Sequence, residues 1–109
     1  MTYQSIAEMI KSVGLPYAYY QFEEGQGSEC PFIVFFYPER NDYAADGKNY
    51  AKIENLTIEL YTANKDFEIE AKLEAVLGSN DLYFEKSETY IDSEKCFEIV
   101  YTMEVLING

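Results

Sequence analysis

The sequence predicts an α+β domain: a mainly antiparallel four- to five-stranded sheet with two helices packed on one face, in the order α-β-β-β-α-β-β. Three observations carry this. Leu56, Ile58 and Leu60 alternate with Thr57, Glu59 and Tyr61, the period of two of a strand with one buried face. Just beyond, Ile69, Leu73, Val76 and Leu77 fall at i, i+4, i+7 and i+8, one stripe of a helix. Near the end of the chain Phe97, Ile99, Tyr101, Met103 and Val105 face one way, with Glu98, Thr102 and Glu104 opposite.

The elements follow in order. Ile6, Met9, Ile10 and Val13 make the stripe of a first helix, with Ser5 to Glu8 reading as a capping box or Thr2 as an earlier start, and Gly14 and Pro16 as the stop. Tyr17 to Phe22 reads as a strand, and Glu23 to Glu29, with Gly25 and Gly27, as a flexible connection. Phe32 to Tyr37 is apolar on both faces, as in a central strand, and Pro38 ends it. Glu39 to Asn49 is a polar insertion, with Asp46-Gly47 suited to the tip of a long hairpin. A third strand begins near Tyr50. Ile53 is out of phase with Leu56, so a β-bulge is expected at Glu54-Asn55. Asn64 is the expected cap of the second helix, Gly78 its stop, and Glu68–Lys72 a weak ion pair on its surface. Leu82 to Ile91 and Cys96 to Ile107 form a hairpin around Asp92 to Lys95.

At 109 residues, 1–109 is a single domain, and 48% hydrophobic residues set it apart from a disordered acidic tail. No stretch approaches the roughly 20 apolar residues that cross a bilayer, and the start lacks a signal-peptide pattern, so no membrane association is expected. The net charge of −12 argues against specific nucleic-acid binding, which needs clustered Lys and Arg. It suits either a solvated acidic surface or one that repels or mimics DNA.

Chemistry is hard to place on this chain. It has no histidine, hence neither the usual general base nor a Ser-His or Cys-His dyad. Cys30 and Cys96 are too few for a thiolate zinc site and show no CxxC, so both read as structural. Glu59, Glu88, Glu98 and Glu104 could pair across strands as a carboxylate dyad or divalent-metal site, but strand glutamates of this kind read as the wet face of a sheet. The expectation is a non-enzyme, with no catalytic residue, no metal and no cofactor. Eighteen aromatics in so small a domain (eleven Tyr and seven Phe) suggest that some serve a subunit interface, while coverage of the monomer's own sheet remains open. Candidate interface residues are Arg40, Asp42, Tyr43, Asp46 and Lys48 in the insertion, with Thr57, Glu59 and Tyr61 on the outer face of the central strand.

Across most of its length the chain resembles the small tail-terminator (tail-completion, or tail-to-head joining) proteins of long-tailed bacteriophages and prophages. The resemblance rests on Pro31 to Pro38, on Asn55 to Thr62 with Lys65-Asp66-Phe67, and on Tyr83 to Ile91 running into Cys96 to Leu106. It implies a virion protein, found at the head-tail interface and in the host cytoplasm during assembly. Such a protein would cap the tail tube as a ring, typically a hexamer, with the major tail tube protein and a head-completion or connector protein as partners. It carries over no catalytic residues. A small acidic phage-encoded inhibitor or DNA mimic acting on a host protein stands as the alternative, and an enzyme subunit with a carboxylate site as a third reading.

Overall fold

A fifteen-residue strand, β4 (Lys48–Thr62), organises the computed structural model, which describes residues 1–21, 29–45 and 47–108. Around it lie α1 (Tyr3–Lys11), β1 (Tyr17–Tyr19), β2 (Phe32–Arg40), β3 (Tyr43–Ala45), α2 (Phe67–Ser79), β5 (Glu85–Ile91) and β6 (Cys96–Ile107). The sheet runs β1-β2-β4-β6-β5, with β3 pairing on β4 beside the end of β2. All neighbours are antiparallel except β1 and β2. The predicted fold class holds, with a parallel edge strand that makes the sheet mixed. The polar insertion supplies an additional strand, because β3 folds back on β4 with Gly47 in the left-handed region (φ 74°) at the turn. The Asp46 half of the expected Asp46-Gly47 tip lies outside the described residues, as do Phe22 and most of the Glu23–Glu29 connection.

Both helices cover one face. Ile6, Met9, Ile10 and Val13 from α1 and its end, with Leu73 and Leu77 from α2, pack against Ile33, Phe35, Leu56, Ile58, Leu60, Ile99, Tyr101 and Met103. The predicted stripes are therefore the core, and burial of apolar surface is what holds helices to sheet.

Helix starts follow local hydrogen bonding. Thr2 caps α1: its hydroxyl accepts from the Ser5 amide at 3.0 Å, and the Ser5 hydroxyl accepts from the Thr2 amide at 2.9 Å. For α2 the cap is Asp66, whose carboxylate accepts from the Ile69 amide at 3.1 Å, in place of the expected Asn64. An aspartate can satisfy an orphan amide and favour the positive helix end together. Gly78 does not stop α2, which continues to Ser79. Glu68 and Lys72 do not form the expected pair; the ion pairs of α2 run from Glu70 and Glu74 instead.

The expected bulge at Glu54-Asn55 is absent. β4 pairs with β6 in one unbroken register from Lys52 opposite Ile107 to Thr62 opposite Phe97. The irregularity lies in β2, between Phe36 and Glu39. Pro38 explains the placement, since proline has no N–H for the ladder and is tolerated at a bulge. As a result Glu54 keeps the phase of Leu56, Ile58 and Leu60 and turns toward the helices, 8% exposed. Ile53 goes to the other side.

Candidate interaction surface

The bulge in β2 decides where the predicted residues point. Before it, Ile33 and Phe35 face the helices; after it, Arg40 does, opposite Glu54. There the Tyr3 hydroxyl donates to Glu54 at 2.7 Å, and Arg40 Nε donates to Asp42 Oδ1 at 2.7 Å. The Glu54 hydrogen bond holds the Tyr3 phenol above its usual range. Arg40 is likewise pushed up, first by its bond to Asp42. Arg40 and Asp42 thus satisfy each other, and Tyr43 beyond them is 62% exposed. Lys48 opens β4 opposite Ala45, and Asp46 lies outside the described residues.

Thr57, Glu59 and Tyr61 stand on the opposite face of the sheet, where among the described residues no helix packs. Among the described residues Arg40 is therefore on the helix side and Thr57, Glu59 and Tyr61 on the other. Thr57 is 8% exposed in the single chain. Tyr61 is half-buried: its ring stacks on Phe32 with centroids 4.7 Å apart. Its hydroxyl lies 2.7 Å from Glu98 Oε2 and 3.0 Å from Glu59 Oε1. One hydroxyl proton serves only one carboxylate at a time. Burial, with the Glu98 charge adding to it against the Tyr61 hydrogen bond, raises Glu59 above the usual carboxylate range. Tyr61 itself is pushed well above the usual phenol range by burial and by both carboxylates.

Two concavities of about 790 Å³ each open on this outer face. One is lined by Glu39, Asn55, Thr57, Tyr83, Glu85 and Glu104 and is acidic. The other is lined by Cys30, Phe32, Tyr61 and Cys96 together with Glu59, Glu94 and Lys95, and is mixed in polarity. Thr102, between β4 and β5, and Glu104 and Leu106, beside β4 alone, are exposed on β6, and Tyr83 is 95% exposed at the rim. Among the described residues no group of three or more His, Cys, Asp or Glu is placed to hold a metal ion. Among the described residues no helix is long and apolar enough to cross a membrane. The arrangement suits contact with another protein: a broad surface with exposed aromatics and exposed acids.

Sequence reasoning missed a charged cluster on the helix side. Glu70 of α2 is buried, and its carboxylate meets Lys65 Nζ at 2.6 Å and Lys86 Nζ at 2.8 Å. Lys86 also donates to Glu74 at 2.8 Å, which accepts a further bond from the Tyr101 hydroxyl at 2.9 Å; Lys65 donates to Glu88. The signal was available: Glu70, Leu73 and Leu77 fall at i, i+3 and i+7, so Glu70 shares the buried stripe. The cluster joins α2 to edge strand β5.

No family model matches the sequence, and no curated protein matches it either. The structure is similar to that of a chain described as part of the virion of a native gene transfer agent particle, with a TM-score of 0.64. The two are 12% identical in sequence, and the likeness covers 98% of this chain and 89% of that one. At this identity what the two chains share is the fold.

Proposed function

We propose that this chain is a virion assembly protein. It caps the finished tail tube as an oligomeric ring, hexameric in the assembled particle, and forms the surface to which the head joins. The observation that carries the reading is the full-length likeness in fold to a chain of a virion. It agrees with the resemblance of Pro31–Pro38, Asn55–Thr62 and Tyr83–Ile91 to the tail-terminator family. The outer sheet face, with Tyr61, Thr102, Glu104 and Leu106, is the contact surface for a neighbouring subunit or for the major tail tube protein. The head-completion protein meets the ring on its other side. The protein works by shape and surface complementarity, without catalysis or a cofactor. Its charge of −12 keeps DNA from adhering as it passes.

Electron microscopy of particles assembled without this protein tests the proposal. The expected picture is tails of irregular length with no heads attached, repaired when the protein is supplied. Tails of normal length that still carry heads overturn it.

A further inference from the structure

The two cysteines, 66 positions apart in sequence, are brought to one place by the sheet. Phe32 pairs with Tyr61, so the line of β2 carried back two residues puts Cys30 level with Ala63. Thr62 pairs with Phe97, so the line of β6 carried back one residue puts Cys96 level with Ala63 as well. β4 separates β2 from β6 along their length, but it ends at Thr62. At the level of the thiols the chain between them is Ala63, in a bend past the end of the strand pairing, and it lines the same concavity. Both cysteines line the same concavity, Cys30 half-buried and Cys96 5% exposed, and both are free thiols.

The geometry points to a redox-sensitive pair: Cys30 and Cys96 close into an intramolecular disulfide when the protein meets an oxidising disulfide such as oxidised glutathione. The more accessible Cys30 reacts first. Its thiolate attacks one glutathione sulfur, breaks the glutathione disulfide and releases one glutathione thiolate, leaving a mixed disulfide on Cys30. The Cys96 thiolate then attacks the Cys30 sulfur and expels the second glutathione. Two protein thiols are oxidised and one glutathione disulfide is reduced to two thiols, with both protons passing to solvent or to the departing thiolates. Burial, the nearby Cys30 thiol and the Glu94 and Glu98 carboxylates push the Cys96 thiol up. The second step therefore accelerates as pH rises, because only the thiolate attacks.

The occasion for the reaction rests on the assembly reading: a virion part is made in a reducing cytoplasm and carried into an oxidising medium. The bond would tie the chain just ahead of β2 to the start of β6, across the open end of β4. It would lock the floor of the outer-face concavity.

The test uses the purified full chain, reduced, freed of reductant and exposed to oxidised glutathione. The expected product is a monomer that has lost both titratable thiols and two hydrogen atoms of mass, with a raised thermal midpoint that reverts on reduction. Cys96→Ser should stop at the glutathione adduct on Cys30, and Cys30→Ser should react far more slowly. Retention of both thiols, a stable glutathione adduct on the unmodified chain, or covalent dimers alone would each overturn the inference. None of these bears on the tail-assembly experiment, so the two ideas fail separately.

Discussion

Glu70 and Lys65 form an ion pair 2.6 Å long in which the carboxylate is 2% exposed and the ammonium carrier 26%. The asymmetry matters. Glu70 has given up its water, whereas Lys65 keeps some and has Glu88 as a second partner. Removing the carboxylate leaves Lys65 with Glu88 and Lys86 with Glu74, so neither cation is stranded. The price of breaking a buried pair, about 3–5 kcal/mol when a charge is left alone, is therefore reduced here. Glu70→Ala should lower the unfolding free energy by about 1–3 kcal/mol, mainly through the cavity and lost packing. Glu70→Leu should cost less than Glu70→Ala in the same urea titration. Equal losses would show that the charge, not the volume, is what the site needs.

The pH dependence of stability has two opposing parts. Burial acts to raise Glu70, but Lys65 and Lys86 outweigh it and hold the carboxyl below its ordinary value. A carboxyl depressed in the folded state stabilises fully above its unfolded value of about 4.3, and loses that contribution as pH falls through the folded value. Glu59 behaves oppositely, since its folded value is raised. It destabilises the fold increasingly as pH rises from about 4.3 through that raised value. Glu59→Gln should therefore stabilise the protein at neutral pH by less than about 1 kcal/mol, given its partial exposure. The gain should shrink toward zero near pH 3. A Glu59→Gln difference that stays constant across unfolding curves from pH 3 to 8 would remove titration of Glu59 as its cause.

Tyr101 joins the apolar core to the charged cluster. Its ring is fully buried and meets Phe84 edge-on at 5.2 Å, while its hydroxyl donates to Glu74. Burial, with Glu74 adding to it, pushes the phenol well above its usual range, so the donor persists at any ordinary pH. Tyr101→Phe should cost about 1 kcal/mol, one hydrogen bond to a carboxylate that retains Lys86. Tyr101→Ala should cost about 3–5 kcal/mol through the cavity. Thermal unfolding of the two variants separates the terms, and a Tyr101→Phe loss as large as that of Tyr101→Ala would contradict the division.

Much of this fold was legible because apolar phase was unbroken where it counted. Leu56, Ile58 and Leu60 specified the inner face of β4, and Ile99, Tyr101 and Met103 that of β6. What misled was polarity on those same phases. Continuing the pattern back from Leu56 puts Glu54 in the core, and by pattern alone a bulge is the solution that avoids burying it. The structure keeps the register and supplies a partner from α1 instead, Tyr3, 51 positions away in sequence. Such a partner becomes visible only once helix and sheet are docked. The bulge moved to Pro38, which turned Arg40 away from Thr57, Glu59 and Tyr61 and divided the predicted interface between two faces. The nearness of Cys30 to Cys96 was hidden for a related reason: it depends on two pairing registers and on where β4 ends.

The proposed role places a specific demand on the outer face. Thr102 is exposed on β6, opposite Thr57, on the side without a helix. An exposed substitution there should change stability by no more than about 0.5 kcal/mol. A contact surface is far less tolerant, because a bulky cation in a packed interface must be desolvated or holds the partner off. Thr102→Arg should therefore unfold like the unmodified chain yet fail to restore headed tails of normal length. Glu68→Arg, on the exposed side of α2, adds the same group over the other face and should restore them. If Thr102→Arg completes tails as well as the unmodified protein, this face is not the one that meets a neighbour. The contact would then have to be sought around Tyr43 and the β3–β4 turn.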